Sequence, residues 1–395
     1  MTAYLNALGV ICALGRGQDE VARNLFAGEC SGMQRESGWV PGRSLTVGAV
    51  HGALAPIPSG LNPQSSRNNQ LLLEAALQIE DDIRQAIRTY GPDRVAIVLG
   101  TSTSGIDEAS RGIAHYLQTQ HFPGDYDYQQ QELSAPATFL AEWLNVSGPA
   151  YVISTACTSS ARALMSAQRL LDMNLCDVVL CGGVDSLCAL TLNGFSALEA
   201  VAQERCNPFS INRRGINIGE AAVLFVMSKQ PAKTHAIALL GAGASSDAHH
   251  ISAPEPTGRG AVQAMRTALK RAQLQPQHIG YLNLHGTATQ HNDAMESHAV
   301  TQVFPDGVPC SSTKPMTGHT LGAAGALEAA FCWLSLSRHN ALAPHVWDAQ
   351  PDPALPALSW VTPGQTLTCA TKRCLMSNSF AFGGNNVSLI IGDAP

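Results

Sequence analysis

The chain has 395 residues, of which 45% are hydrophobic and only 14% charged, with a formal net charge of −6. A charged fraction this far below the usual quarter predicts a large core and a large buried interface. The mildly acidic balance excludes the basic footprint of a nucleic-acid binder. In chain order, short β-like runs alternate with longer helical ones, the rhythm of an α/β layered fold. Residues 95–100 read as a buried strand followed by a Thr/Ser/Gly turn, and 136–144 as a helix with Pro136 in its first turn. Next come a strand over 150–154, a turn at Cys157 and a helix over 159–173. A strand over 177–181 is closed by Gly182-Gly183, and another spans 223–227. The rhythm restarts with a strand at 236–240, a helix over 261–272 and a strand over 279–284 that ends at His285-Gly286. A strand end at 310–312, a mostly buried helix over 321–336 and a strand plus turn over 370–378 complete it. The pattern predicts a duplicated unit, residues 1–235 and 236–395, with no flexible linker between the halves.

Several features restrict the setting. Met1-Thr2-Ala3-Tyr4-Leu5 lacks the basic and apolar regions of a signal peptide. No window reaches the roughly 20 apolar residues of a membrane helix. A cytoplasmic protein with no membrane partner is expected. Eleven scattered cysteines without a C-x-x-C pair, Cys176, Cys181 and Cys188 among them, read as reduced buried thiols.

Cys157 is the exception. It lies in Thr155-Ala156-Cys157-Thr158-Ser159, at a strand–helix seam. A helix N-terminus offers unpaired N–H groups and partial positive charge, so a lowered thiol pKa is expected there. That suits a covalent nucleophile. Three later segments join it: Asn283-Leu284-His285-Gly286-Thr287-Ala288-Thr289, Lys314-Pro315-Met316-Thr317-Gly318-His319 running into a small-residue helix, and Phe380-Ala381-Phe382-Gly383-Gly384-Asn385-Asn386. Each alone is an ordinary turn. Together they place one cysteine and two histidines at strand or helix ends, where open α/β sheets hold their sites.

These four segments resemble the elongating β-ketoacyl-acyl-carrier-protein synthases of the thiolase-like superfamily, with likeness running from Gly9 and residues 25–32 to Gly384. The resemblance implies a five-layered αβαβα fold of two similar halves, commonly dimeric. It implies that Cys157 carries an acyl chain as a thioester, with the N–H groups of Cys157 and Phe382 as oxyanion hole. His285 and His319 would donate to the malonyl thioester as it loses CO₂, and Lys314 would pair with Glu328 behind them. Thr287 and Thr289 match positions that bind the phosphopantetheine arm, and Phe382 matches a gate. Asn283, Glu328, Ser377 and Asn378 match a structural monovalent-cation site of some relatives. No resident cofactor is expected, since phosphopantetheine arrives on the acyl- or malonyl-loaded carrier protein. Such carriers are acidic, so Arg67, Arg205, Arg213 and Arg214 are the expected docking cations.

The chain departs from the family pattern at Gln290-His291-Asn292-Asp293, at Asn385-Asn386 and across residues 207–216, where Ile216 replaces a frequent aromatic; residues 65–70 are also thin in positive charge. His291 is expected as an exposed loop residue, with intrusion near the pantetheine entrance as the alternative. A non-catalytic chain-length-factor subunit would lack Cys157. A thiolase would need a second cysteine near Phe382, a starter-unit enzyme an asparagine in place of His319, and a cysteine hydrolase leaves Lys314 and the second histidine unexplained. A homodimer is expected, with a heterodimer with a homologous subunit as the alternative. The pathway, fatty-acid or specialised polyene or polyketide synthesis, stays open, with the departures leaning to the specialised case.

Overall fold

The computed structural model of the chain describes residues 2–61, 64–232, 236–338, 340–368 and 372–394. The first half contains β1 (Ala3–Cys12), β2 (Gly15–Arg16), the hairpin β3 (Met33–Val40) and β4 (Arg43–Gly48), then β5 (Val95–Gly100), β6 (Ala150–Ile153), β7 (Val178–Asp185) and β8 (Ala221–Ser228). The second contains β9 (Ile237–Ser246), β10 (Tyr281–Asn283), β11 (Pro309–Ser311), β12 (Ser359–Trp360), β13 (Cys374–Phe380) and β14 (Asn385–Asp393). The helices are α1 (Gly17–Ala27), α2 (Arg67–Leu77), α3 (Glu80–Tyr90), α4 (Ile106–Thr119), α5 (Ala135–Leu144), α6 (Ser159–Asp172) and α7 (Ala189–Ala197), followed by α8 (Arg259–Ala272), α9 (Gln290–Val303), α10 (Lys314–Thr317) and α11 (Ala324–Ser337).

Apart from the small hairpin, the strands form one twelve-stranded ladder in the order β12-β11-β10-β13-β14-β9-β1-β8-β7-β5-β6, with β2 beside β1. The order exposes a repeat. In each half the third strand of the core unit lies outside the second, followed inward by the fourth, the fifth and the first. The two units join where β1 meets β9, Ala3 opposite Leu239 and Tyr4 opposite Ala238. The expected seam at residue 235 falls outside the described residues, as do Ala370 and its neighbours at the start of the expected strand over 370–378; β13 is described from Cys374.

Strand alternation separates three apolar layers. In β5, Ala96 and Val98 face an inner core shared by both halves, whereas Ile97 and Leu99 face an outer core under α2, α3 and α5. In β14, Leu389 and Ile391 face the inner core and Ile390 faces α8 and α9. The inner core is filled by α6 and α11, which sit between the two half-sheets, and Ala326 N donates to Ser160 Oγ at 2.9 Å. The result is five layers, αβαβα. Because β5, β7 and β8 are covered on both faces, they are continuous apolar runs and not alternating ones.

Gly182-Gly183 does not end its strand. β7 runs on through both glycines to Asp185. A Cβ at Gly182 would lie 2.0 Å from the Val223 carbonyl oxygen, and one at Gly183 would lie 2.5 Å from Ser160 Cβ. The pair marks close approach of a neighbouring strand and of α6, not a turn. Among the described residues no helix is long and apolar enough to cross a membrane.

Candidate active site

Cys157 follows β6, the third core strand of the first half, and His319 follows β11, the third of the second. His285 follows β10. The ends of these strands converge at the floor of a cavity of about 620 Å³, whose rim carries Arg214, His250 and His291. That volume suits a drug-sized ligand. One ligand atom each from Cys157, His285 and His319 falls within 4.8 Å of the others. His319 Nε2 is 2.9 Å from Cys157 Sγ. The two imidazoles meet edge-on, with centroids 5.3 Å apart.

Cys157 is preceded by Ala156 in a left-handed conformation (φ 52°), a bend that turns the thiol out of the chain path. The expected lowering of its pKa is overturned. Burial pushes the thiol up to about 11, against the pull of the Lys314 charge and of the Phe382 and Cys157 N–H groups. The thiol is only 6% exposed, so the loss of water outweighs the nearby N-terminus of α6. Phe382 lies half-buried on the cavity wall, its ring 5.7 Å from that of Phe195.

Lys314 and Glu328 are buried together, with Nζ 2.5 Å from Oε1. The Lys314 ammonium also donates to the main-chain carbonyl of His285 and stands 3.5 Å from His285 Nδ1. An ammonium has no acceptor, so Nδ1 is the acceptor there and the His285 proton sits on Nε2. Burial, reinforced by the Lys314 charge, holds both imidazoles well below their ordinary pKa. Two neutral N–H donors result. Burial raises Glu328 to about 7 while Lys314 pulls it down.

Thr287 and Thr289 line the cavity with their hydroxyls 2.9 Å apart. His291 is exposed, as expected, but belongs to the first turn of α9 and not to a loop. Of the expected docking arginines, Arg205 and Arg214 are exposed and only Arg214 reaches the cavity rim in that state. Arg67 and Arg213 are corrected. Arg67 donates through Nε and Nη2 to the fully buried carboxylate of Glu220, and Arg213, 4% exposed, pairs with Asp352 at 2.6 Å. Arg213 is held inside by its carboxylate, whereas the Arg67 side chain stays 37% exposed with its guanidinium engaged by the buried Glu220. At the expected cation site, Asn283 Oδ1, Glu328 Oε2 and Ser377 Oγ are buried oxygens without a hydrogen-bond partner among the described residues. Asn283 and Ser377 are register partners on β10 and β13. This oxygen set fits a hard cation. The Asn378 side chain is already engaged, by Ser388 Oγ at 2.7 Å and Met265 Sδ.

The tertiary structure adds residues that the sequence left unmarked. Glu296 accepts hydrogen bonds from the His285 and Gly286 N–H groups at 2.8 and 2.7 Å, and Asp293 accepts from those of Phe209 and Ala288. Their signal is two carboxylates three residues apart on one helix face, just after the His285 turn. Asp185 binds Thr101, Ser102, Thr103 and the Gly322 N–H, tying the turn after β5 to the segment after His319. The His319 main chain is itself held by the first half, with His319 N 2.6 Å from Asn217 O.

Comparison with known proteins follows the same lines. Residues 54–232 match the family described as beta-ketoacyl synthase, N-terminal domain, and residues 237–346 match beta-ketoacyl synthase, C-terminal domain. The chain is 38% identical over 263 residues to a mitochondrial 3-oxoacyl-[acyl-carrier-protein] synthase of Arabidopsis thaliana, a match covering 62% of the chain and 56% of that protein. It is 33% identical over 305 residues to nodulation protein E of Rhizobium meliloti, covering 75% of each. A ketosynthase (ApeO) solved in complex with its chain length factor (ApeC), from Xenorhabdus doucetiae, superposes with a TM-score of 0.94 and 47% identity over 100% of this chain and 98% of that one. With both family segments, the thiolase-like layering and the Cys-His-His floor in one molecule, the chain belongs to the β-ketoacyl synthase family.

Proposed function

We propose that the chain is a β-ketoacyl-acyl-carrier-protein synthase, a condensing acyltransferase. The observation that carries this reading is the convergence of Cys157, His285 and His319 at the floor of one cavity. In the first step the Cys157 sulfur attacks an acyl-carrier thioester, the bond to the carrier sulfur breaks, and the freed carrier thiol takes the proton that Cys157 gave up. The N–H groups of Cys157 and Phe382 stabilise the oxyanion of that step. Malonyl-carrier thioester then enters, its arm passing Thr287 and Thr289. Its carboxylate leaves as CO₂, and the electron pair moves onto the thioester oxygen. Neutral N–H donors at His285 and His319 stabilise that enolate. The enolate carbon attacks the acyl carbon on Cys157. A carbon–carbon bond forms, the carbon–sulfur bond breaks, and Cys157 leaves as thiolate to recover a proton.

Behind the imidazoles, Lys314 and Glu328 hold His285 and fix its proton on Nε2. A monovalent cation would be held by the oxygens of Asn283, Glu328 and Ser377, supplying fixed positive charge beside the Lys314 pair. No other cofactor is required, because the pantetheine arm comes with the carrier protein. Carrier docking falls to Arg214 and Arg205. A heterodimer with a homologous, chain-length-factor-type subunit in a specialised polyene or polyketide system is favoured over a homodimer in fatty-acid synthesis. The support is that the similar Xenorhabdus ketosynthase was solved with such a factor. Free thiols at Cys12, Cys181, Cys310 and Cys332 support a cytoplasmic setting.

The test supplies acyl-carrier proteins of graded chain length with malonyl-carrier protein to the purified chain, alone and co-expressed with a homologous subunit. A β-ketoacyl product that disappears in Cys157→Ala supports the reading. Condensation that survives Cys157→Ala overturns it.

A further inference from the structure

His345 lies outside the cavity and belongs to none of the segments that carry the chemistry, yet both of its ring nitrogens are engaged. Ser312 N donates to His345 Nδ1 at 3.1 Å, and His345 Nε2 stands 3.2 Å from the Pro208 carbonyl oxygen. A carbonyl only accepts, so the proton is on Nε2 and the tautomer is fixed. The ring stacks on Trp360 at 4.1 Å and 14° and packs beside Trp347 and Phe209. Burial holds it neutral, pushing its pKa down to about 3.

The residues it ties are those that wedge the His285 turn. Ser312 Oγ donates to the Gly286 carbonyl at 2.7 Å. Gly286 has φ of +42°, and a Cβ there would fall 2.5 Å from Ser312 Cβ and 3.0 Å from the Phe209 ring. The residue after His285 is thus pinched between Ser312 and Phe209. His345 bonds the main chain of the first wall at Ser312 and of the second at Pro208, one residue before Phe209. Phe209 is itself left-handed (φ 62°), a conformation that persists only when its surroundings hold it. Both nitrogens are spent on the main chains of the two segments that flank Gly286.

We propose that His345 is a positioning residue for His285, clamping the Ser312 and Phe209 walls so that the His285 Nε2–H points at the malonyl thioester oxygen. This rests on the reading of His285 as a donor in decarboxylation. The clamp has no contact with Cys157, so it serves one half of the reaction only.

Three variants separate the nitrogens. His345→Asn keeps an acceptor where Nδ1 stands, His345→Gln keeps a donor at the reach of Nε2, and His345→Phe keeps the ring alone. Two rates are measured for each: CO₂ release from malonyl-carrier protein, and acylation of Cys157 by acyl-carrier protein. Misplacing a reacting group by about 1 Å costs on the order of 100-fold, so His345→Phe is expected to lose that much in the kcat of CO₂ release with KM unchanged. Its Cys157 acylation rate should stay at the wild-type level, and His345→Asn should recover most of the loss. Parallel loss of both rates, or equal loss in the Asn and Phe variants, would overturn the clamp. Wild-type CO₂ release by His345→Phe alongside its collapse in His285→Ala would overturn the clamp while leaving the function of His285 standing. Wild-type CO₂ release by His285→Ala would instead remove the reading beneath it.

Discussion

Cys157 and His319 occupy equivalent places in the two halves, each just beyond the third core strand, and their side chains meet with Nε2 2.9 Å from Sγ. The duplicated unit thus supplies a nucleophile from one copy and an imidazole from the other. The two helices that follow, α6 and α11, pack together in the inner layer, which fixes the distance between them.

Because burial holds the Cys157 thiol near 11 instead of its ordinary 9.0, its alkylation rate should keep rising past pH 9. Mass spectrometry of the Cys157 peptide after iodoacetamide pulses reads this directly. Lys314 pulls the thiol down, so Lys314→Met should move the profile to still higher pH. A plateau below pH 9, or a shift the other way in the variant, contradicts the assignment.

Each imidazole donor at the enolate oxygen should be worth about 100- to 1000-fold in CO₂ release, the usual effect of removing one oxyanion donor. His285→Ala should lose this and leave Cys157 acylation intact, because His285 turns its Nδ1 to Lys314 and not to the thiol. His319→Ala should depress both steps, since His319 touches Sγ. Equal behaviour of the two variants would count against separate roles.

Glu296 gives stability a pH dependence of predictable sign. Burial raises it from 4.5 to about 7, while the Gly286 and His285 N–H groups pull it down. The folded state therefore binds more protons than the unfolded state between those values, and stability falls as pH rises through that window. One such group contributes a slope of at most about 1.4 kcal/mol per pH unit. Asp293, raised to about 6, acts in the same direction. Urea midpoints across this range should fall less steeply in Glu296→Gln than in the native protein, and identical slopes would refute the assignment.

Arg67 and Arg214 should part company. Arg67→Ala leaves the Glu220 carboxylate buried and unpaired, at a cost on the order of 3 kcal/mol in unfolding free energy. Arg214→Ala should leave the melting temperature unchanged and raise KM for the acyl-carrier protein, more so at low salt. Thermal melts and carrier titrations distinguish them. A raised KM without destabilisation in Arg67→Ala would restore it to the docking face.

Much of this was legible in the letters. The buried strand over 95–100, the helix over 261–272 and the Cys157, His285 and His319 turns carry their signals locally: an apolar run, a helical period, a glycine beside a reactive side chain. The repeat was legible only as rhythm, since its proof is a strand order that no pairwise comparison of letters contains. Gly182-Gly183 misled because a glycine pair needed for close approach and one needed for a turn are the same letters. Glu296, Asp293 and Asp185 stayed silent, being ordinary acidic residues until folding places main-chain N–H groups against them.

The sequence by itself determined which groups can react, because a thiol, an imidazole and an ammonium bring their chemistry with them. It also determined which segments would hold them at strand ends. Only the tertiary structure decided their charge states and company. Cys157 sits at an address that favours a thiolate, yet removal from water outweighs the helix terminus and holds it protonated. Arg67 and Arg213 read as surface cations, yet a carboxylate folded against each claims them. Desolvation and pairing are properties of what lies nearby in space, and that neighbourhood is assembled from residues dozens to hundreds of positions apart.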